Sequence, residues 1–114
     1  MSGREPLRVV QGERTAGESV GIKHDAAKPR LDLLPWGAVV ACADVLTYGA
    51  AKYGAENWPR VPDGKRRYLA AALRHVISYA RGEWLDGESS LPHLAHALTS
   101  LMFVFELAEK EGAK

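Results

Sequence analysis

Three segments of the sequence repeat apolar residues every three or four positions, and this spacing constrains the fold more than any other feature. It gathers apolar side chains on one side of an α-helix, whereas a strand needs alternation. The segments cover about residues 36–52, 63–81 and 90 onward, with glycine and proline between them. No stretch reads as a strand. The sequence therefore predicts an all-α chain with three helices.

The third segment is apolar on two sides, which sets a condition on the fold. Its start is predicted at Ser90, a favourable N-cap, with Pro92 tolerated in the first turn. A helix with two apolar sides is buried on two sides, and a chain of 114 residues has only a small core of its own. We therefore predict a helical bundle that is completed by oligomerisation.

The beginning of the chain differs in pattern from the rest. Residues 1–21 contain four glycines, scattered charges and no sustained period, so a flexible N-terminal arm is predicted there. Residues 22–114 are predicted to form a single all-α domain. Its first motif, K-P-R-L-D-L-L-P, carries two prolines and is expected to be an extended lead-in to the first helix.

Composition narrows the classes of function. A net charge of +1 provides little attraction for nucleic acid or for an anionic membrane. No apolar run approaches the roughly 18 residues of a membrane span, and no signal sequence is recognisable. The single cysteine, Cys42, cannot form an internal disulfide, which fits a reducing compartment. We expect a cytoplasmic protein with no membrane contact and no direct nucleic-acid partner.

The stretch E-W-L-D-G-E-S-S-L-P-H-L-A-H-A, residues 83–97, concentrates groups suited to metal binding. Carboxylate oxygens suit Mg²⁺ or Mn²⁺, and Mn²⁺ accepts histidine nitrogen more readily than Mg²⁺ does. One acidic pair and one histidine pair are each spaced three apart, so each pair would share one face of a helix. The alternative is an ordinary polar helix start. The candidate ligands are Glu83, Asp86, Glu88, His93 and His96.

A row of arginines along the second segment is a candidate for phosphate binding. Arg67, Arg74 and Arg81 recur on one side of the predicted helix, and His75 follows the middle one. Guanidinium groups bind phosphate oxygens in a bidentate fork. The row is therefore either a phosphate clamp or a solvated helix face. Arg74 is the strongest candidate, because it leads along the helix toward the acidic stretch.

The loop K-Y-G-A-E-N-W has the composition of a base-binding site. Tyr53 and Trp58 carry rings that stack on a base, while Lys52 and Asn57 have groups that bind phosphates or read a base edge. The alternative is that the two aromatic rings cap the helical bundle.

Four motifs, taken in order, resemble one known family. They are K-P-R-L-D-L-L-P, V-L-T-Y-G-A-A-K-Y-G-A-E-N-W, R-Y-L-A-A-A-L-R-H and G-E-W-L-D-G-E-S-S-L-P-H-L-A-H-A. Over residues 23–109 the chain resembles the MazG-like dATP/dGTP diphosphohydrolases, found mostly in bacteriophages. The resemblance implies an all-α enzyme, working as a dimer or tetramer with Mg²⁺ or Mn²⁺. Its implied reaction splits a purine deoxynucleoside triphosphate into the monophosphate and pyrophosphate.

The resemblance also implies residue roles. The implied catalytic and metal-binding groups are Glu83, Asp86 and Glu88, with His93 and His96 as further metal ligands. The implied substrate-binding residues are Lys28, Asp32, Lys52, Tyr53, Asn57, Trp58, Arg74 and His75. Glu83 or Glu88 would be the general base, and Arg74 with Lys52 would hold the departing pyrophosphate. In the wider MazG superfamily two acidic E-x-x-E or E-x-x-D pairs bind metal; here two histidines occupy the second pair.

The biological use of the product stays open between two alternatives, a supply of dGMP for 2-aminoadenine DNA and the removal of dATP. Two other classes of function also stay open. One is a nucleotide- or metal-binding helical module without catalysis, which predicts binding but no product. The other is a phage interaction protein, which predicts tolerance of substitutions throughout the acidic stretch.

Overall fold

The structure is a computed structural model that describes residues 19–112. Backbone contacts divide the chain into two units, Met1–Leu31 and Asp32–Lys114. Residues 1–18, most of the predicted arm, lie outside the described residues, so the boundary between residues 21 and 22 stays a prediction. In the first unit, residues 19–30 form neither helix nor strand. One turn there is closed by the Lys28 N–H, which donates to the Asp25 carbonyl at 3.0 Å.

The first helix, α1, spans Trp36–Tyr53 and agrees with the sequence prediction. A turn of 3-10 helix, Leu31–Leu33, precedes it, where an extended lead-in was expected. Pro35 begins α1 because its fixed φ suits a helix start and its carbonyl accepts the Val39 N–H at 3.1 Å. Gly54 ends it with a φ of 96°, a backbone conformation that residues with a side chain rarely adopt.

The second helix, α2, spans Gly64–Ala80 and follows a single 3-10 turn, Trp58–Arg60. Gly82 stops it, as predicted, with a φ of 98°. The glycine that begins α2 is buried, and a Cβ on it would lie 3.1 Å from Leu107 Cδ1. Glycine at position 64 therefore permits close packing against the next helix.

The third helix, α3, spans His93–Lys110, three residues later than the start predicted at Ser90. The prediction of Ser90 as the N-cap is wrong, because this residue has a φ of 61° and belongs to a closed loop. In that loop the Asp86 N–H donates to the Leu91 carbonyl at 2.8 Å, and the His93 N–H donates to the Trp84 carbonyl at 2.9 Å. These bonds pull the chain back on itself, so α3 begins only after the loop closes.

Helix α3 is central, since it packs against both α1 and α2, whereas α1 and α2 do not pack on each other. The buried residues of α3 are small or polar rather than leucines. They are His93, Ala95, Ala97 and Thr99, and their spacing places them on two opposite sides of the helix. On α2, Ala72 is only 1% exposed. The buried parts of α2 and α3 therefore consist mainly of small side chains.

The large apolar side chains that were predicted to mark the inner faces of α2 and α3 are exposed in the single chain. These residues are Leu69, Leu73, Val76, Ile77, Leu98, Leu101, Met102 and Phe105, each at least 40% exposed. Periodicity located the apolar sides correctly but did not show which side the chain itself would cover. The oligomerisation that would cover them stays a prediction.

Within residues 19–112 the only strand-like pairing is an isolated bridge between Leu85 and Pro92, so the all-α prediction is confirmed. None of the helices in this part of the chain combines the length and apolar character that are required to span a bilayer.

Candidate functional site

An open cleft of about 1010 Å³ lies between the end of α1, the segment after it, α2 and the first half of α3. Two groups of side chains lie at this cleft, and all of their members line it except the buried His93. The histidine–acid cluster comprises His75, His93, His96 and Asp86, and the aromatic cluster comprises Trp58, Tyr68 and Phe103. Position 75 lies seven residues after 68 on α2, and 103 lies seven after 96 on α3, so two helical turns separate the clusters.

The histidine–acid cluster forms where α2 meets the start of α3. His75 Nδ1 lies 2.8 Å from His93 Nδ1, so in the absence of an ion one of these nitrogens donates its proton to the other. The ring of His96 stacks on that of His75, with centroids 4.6 Å apart and planes 11° apart. Three imidazoles thus pack together although 21 residues separate the first from the last in the sequence.

Burial lowers the pKa of two of these rings, those of His75 and His96. Burial is the main cause that lowers the pKa of His75, and the neighbouring His96 lowers it further. Burial also lowers the pKa of His96, although the Asp86 carboxylate partly opposes that effect. Neutral imidazole is the form that binds a metal ion.

Asp86 is held by the loop between α2 and α3. Its Oδ2 accepts the Ser89 N–H at 2.8 Å, the Ser89 hydroxyl at 2.9 Å and the Glu88 N–H at 3.2 Å. Desolvation raises the pKa of this carboxyl, but the two bonds from Ser89 and the attraction of His96 outweigh it, so the net pKa is lowered. Asp86 is therefore a charged carboxylate in a fixed position.

Ser89 connects this carboxylate to the histidines. Its Oγ lies 2.7 Å from His96 Nε2 and accepts the Leu91 N–H at 3.1 Å. Because the hydroxyl proton goes to Asp86, the His96 ring must be the donor to Ser89. This chain of bonds fixes the proton of His96 on Nε2.

His93 is the most buried member of the cluster, at 5% exposure. Its Nε2 is buried and makes no hydrogen bond within the described part of the chain. Glu83 Oε1 lies 3.4 Å away, which is close enough for an electrostatic pair but not aligned as a hydrogen bond. Glu83 itself is exposed and is not among the residues that line the cleft.

Glu88 lies on the rim of the cleft and is bound by α1. Its Oε2 accepts the Tyr48 hydroxyl at 3.1 Å and pairs with the Lys52 ammonium. The bond from Lys52 is the main cause that lowers the pKa of Glu88, followed by the bond from Tyr48, and the same pair raises the pKa of Lys52. The pair is largely exposed, so it is a rearrangeable contact rather than a fixed one.

The residues best placed to hold a metal ion are His75, Asp86 and His93, each of which offers a ligand atom within 4.8 Å of the others. Asp86 and His93 belong to the ligand set expected from the sequence, and His75 adds to it. The other expected ligands have different neighbours: Glu88 pairs with Lys52, His96 with Ser89, and Glu83 lies beside His93.

The aromatic cluster lies further along the same two helices. The ring of Trp58 stacks on Phe103 with centroids 4.5 Å apart and planes 8° apart, and Tyr68 meets the edge of Phe103 at 4.9 Å. The Tyr68 hydroxyl donates to the Trp58 carbonyl at 3.1 Å, which anchors the segment after α1. Tyr53 is exposed on the cleft, with the Lys52 ammonium 5.0 Å from its ring centre.

Cationic side chains surround the aromatic cluster and lead to the histidine–acid cluster. The cations that line the cleft are Lys52, Arg60, Arg67 and Arg74, against the two carboxylates Asp86 and Glu88. Arg81, the third member of the predicted row, does not line it. The cleft is therefore suited to an anionic ligand that also has an apolar or aromatic part.

Comparison with known proteins assigns the chain to a family. The family model described as "dATP/dGTP diphosphohydrolase, N-terminal" matches residues 18–114. The chain belongs to that family. A "dATP/dGTP diphosphohydrolase" of Salmonella phage PMBT28 is 39% identical over 87 residues, which are 76% of this chain and 29% of that protein. A "Leucyl/phenylalanyl-tRNA--protein transferase" of Myxococcus xanthus is 38% identical over 58 residues, 50% of this chain and 23% of that protein.

The chain spans less than a third of the length of these curated relatives. No solved structure matches it. The family assignment therefore rests on sequence, and the arrangement of the site rests on this structure alone.

In this member of the family, most residues that were predicted to bind substrate line one cleft. They are Lys52, Tyr53, Asn57, Trp58, Arg74 and His75. Asp32 lies in the turn Leu31–Leu33 and is not among the lining residues. Lys28 lies in the first unit and is exposed, and its role stays a prediction.

Sequence reasoning missed several residues that complete the site. Ser89 gave no signal, because serine is common in loops and its neighbour at position 90 is identical. Tyr48, Tyr68 and Phe103 look like core residues in a periodic helix. Arg67 was seen in the arginine row but not chosen, since only the packed structure shows which members face the cleft.

Proposed function

We propose that this chain carries a metal-dependent site that hydrolyses purine deoxynucleoside triphosphates, dGTP or dATP, to the monophosphate and pyrophosphate. The observation that carries the proposal is the shared cleft, in which a carboxylate–imidazole cluster, four cations and an aromatic stack lie together. The names of the phage relative and of the family support the same substrates.

The cleft's chemistry supports the binding of a triphosphate together with a base. Arg74 and Lys52 would bind the two terminal phosphates, because guanidinium and ammonium groups supply charge-assisted hydrogen bonds to phosphate oxygens. Tyr53 and Trp58 would contact the purine face and Asn57 its edge. The volume of the cleft lies at the upper limit of ordinary small-molecule sites, which measure roughly 300–1,000 Å³.

A divalent cation would be held by Asp86 with His75 and His93, where it would neutralise phosphate charge and orient the attacking water. The proposed set is narrower than the one expected from the resemblance, since Glu83, Glu88 and His96 have other neighbours. The donor types fit a cation: the carboxylate is charged, and the buried His93 has a nitrogen without a hydrogen bond.

Of the two predicted general bases, Glu88 is the one we propose, because it lines the cleft and Glu83 does not. The water oxygen would form a bond to the α-phosphorus, and the bond between that phosphorus and the α,β-bridging oxygen would break. When Lys52 turns from Glu88 toward the phosphates, the carboxylate becomes available to accept the proton of the water. Pyrophosphate would then leave, held by Arg74 and Lys52.

The exposed apolar sides of α2 and α3 support assembly into a dimer or tetramer, with a second copy of the chain as the proposed partner. Leu73→Lys, on the exposed side of α2, should shift the mass measured by sedimentation to that of the monomer. Val20→Lys, outside both helices, is the control. An unchanged mass in both variants would remove the support for this assembly.

The proposed setting is the cytoplasm, including that of a phage-infected bacterium. There the product would be dGMP for 2-aminoadenine DNA, or the effect would be removal of dATP. A nucleotide-binding module without catalysis is the second candidate. This candidate is supported by the comparison with the phage relative. The aligned part covers 29% of that protein, so 71% of its length lies outside the alignment.

The test is to incubate the purified chain with each deoxynucleoside triphosphate and with Mg²⁺, Mn²⁺, Zn²⁺ or EDTA, and to separate the products by chromatography. We expect monophosphate and pyrophosphate from dGTP or dATP, and none with EDTA. Binding of dGTP without any product would favour the binding module. Neither binding nor product would reject both.

A further inference from the structure

The ligand atoms that this chain gathers are mainly imidazole nitrogens, which differs from the Mg²⁺ or Mn²⁺ expected from the resemblance. We propose that His75, Asp86 and His93 form a site for a first-row transition ion of the Zn²⁺ class, in preference to Mg²⁺. In this proposal Glu83 positions His93 and does not bind the ion. Only the use of the ion in hydrolysis rests on the proposed function. The binding of the ion does not, because it is measured without substrate.

The spacing of two imidazole nitrogens supports this site. His75 Nδ1 and His93 Nδ1 lie 2.8 Å apart. Two imidazole nitrogens bound to one tetrahedral zinc ion at about 2.1 Å each lie about 3.4 Å apart. The two nitrogens are therefore within about 0.6 Å of the spacing that one zinc ion requires. Imidazole suits zinc, copper, iron and nickel, whereas Mg²⁺ takes oxygen ligands and keeps much of its water.

The third ligand is Asp86. The bonds from Ser89 and Glu88 all end on Oδ2, so we assign the other oxygen, Oδ1, to the ion. One ligand atom from each of the three residues lies within 4.8 Å of the others. Tetrahedral zinc ligands lie about 3.4 Å apart. Side-chain movements that shorten these distances by at most about 1.4 Å would therefore close the site.

The surroundings of His93 provide an independent reason. A metal-bound histidine generally donates its second ring N–H to a carboxylate or carbonyl, which fixes the tautomer. His93 directs Nδ1 at His75 and has Nε2 3.4 Å from Glu83 Oε1. That Nε2 is buried without a hydrogen bond, which is costly for a polar atom. A proton fixed there by an ion at Nδ1 would strengthen its attraction to Glu83.

His96 has a supporting role in this arrangement. Its Nε2 is committed to Ser89, and its ring stacks on His75. It therefore orients the His75 ring and, through Ser89, the Asp86 carboxylate. Each of the three ligands thus lies beside a group that does not bind the ion: His75 beside His96, Asp86 beside Ser89 and His93 beside Glu83.

The experiment uses the whole chain after chelator treatment. Zn²⁺, Co²⁺ and Mg²⁺ are titrated separately by calorimetry, and the Co²⁺ complex is followed by its visible absorption. We expect Zn²⁺ to bind at least about 100-fold more tightly than Mg²⁺. His75→Gln should weaken Zn²⁺ binding by a similar factor. Glu83→Gln should weaken it about tenfold and change the Co²⁺ absorption bands, because a positioning residue alters the ligand field.

Two substitutions serve as matched controls. His24→Gln and Asp44→Asn change exposed residues of the same types, and Zn²⁺ binding should be unchanged in both. Circular dichroism without metal checks that each variant is folded. If His75→Gln does not fold, Asp86→Asn takes its place, since asparagine keeps an oxygen acceptor for the Ser89 N–H.

Equal affinities for Zn²⁺ and Mg²⁺ in the unaltered chain, or full Zn²⁺ affinity in a folded His75→Gln variant, would overturn the site. An unchanged Co²⁺ spectrum in Glu83→Gln would overturn the role of Glu83. Failure of the proposed function looks different: Zn²⁺ binding would depend on His75, yet no triphosphate would be hydrolysed with any metal. Conversely, hydrolysis supported by Mg²⁺ in a folded His75→Gln variant would retain the function and reject the use of this site in it.

Discussion

The histidine–acid cluster and the aromatic cluster lie on the same two helices, two turns apart, and differ in how their side chains are held. In the first, polar groups bind one another: Ser89 holds Asp86 and His96, and His75 contacts His93. In the second, Trp58 stacks on Phe103, but the cations around it extend from exposed positions.

This difference separates two tasks within one cleft. A reacting group must be held in one position, because small displacements remove its advantage. Groups that bind a flexible triphosphate and a base can adjust to them. Substitutions in the histidine–acid cluster should therefore lower kcat, whereas substitutions near the aromatic cluster should raise KM.

The largest expected effect comes from Asp86→Asn. The amide keeps an acceptor for the Ser89 N–H, so the loop should stay folded, but the negative charge is lost. We expect kcat for dGTP or dATP to fall about 10²- to 10³-fold, in line with the loss of a charged group at a reacting centre. The measurement is a steady-state assay of pyrophosphate release, with Asp44→Asn, on the exposed side of α1, as the control. Activity within about twofold of the unaltered chain would show that the chemistry is elsewhere.

Arg74→Ala should have the next largest effect, and on a different parameter. Removal of a guanidinium that binds phosphate should raise KM about 10- to 100-fold, while Arg74→Lys should recover part of the loss because it keeps the charge. Arg81→Ala is the control, since Arg81 is on the same row but does not line the cleft. An equal rise in KM for both variants would indicate a general charge effect rather than a contact.

The ends of the helices were predictable where a proline or a glycine marks them. Pro35 and Gly54 bound α1, and Gly82 follows α2, because proline and glycine act through their own backbone whatever surrounds them. The start of α3 was not predictable. Ser90 is a good N-cap by type, but hydrogen bonds between residues several positions apart place it inside a loop.

The sequence predicted most of the residues that form the site but not which of them contact one another. The acidic stretch identified Asp86 and His93 as ligand candidates, yet the partner of His93 is His75, which is 18 residues earlier and on another helix. Spacing along one helix cannot show which face will meet a second helix. For the same reason the sequence grouped Glu88 with the ligands, whereas α1 brings Lys52 to it.

Trp58→Ala tests the aromatic cluster, with a smaller expected effect. Loss of one stacking ring should raise KM for a purine substrate about tenfold, with kcat nearly unchanged. Trp58→Phe should keep most of the affinity, because the smaller ring can still stack. The melting temperature must be measured alongside, since Trp58 also packs on Phe103. Trp36→Ala, at an exposed position on α1, is the control, and an equal loss there would reject a stacking role for Trp58.

Tyr48→Phe should have the smallest effect. It decides whether Glu88 is held rigidly, like the histidine–acid cluster, or loosely, like the cations around the aromatic cluster. The variant keeps the ring and removes one of the two groups from α1 that contact the Glu88 carboxylate. If Glu88 is held mainly by the mobile Lys52 pair, kcat should fall by no more than about threefold and the melting temperature should not change, because an exposed hydrogen bond contributes little. A loss of kcat as large as that in Asp86→Asn, without a change in KM, would mean instead that Tyr48 fixes the carboxylate. Glu88 would then belong with the rigid histidine–acid cluster, and the proposed release by Lys52 would be unnecessary.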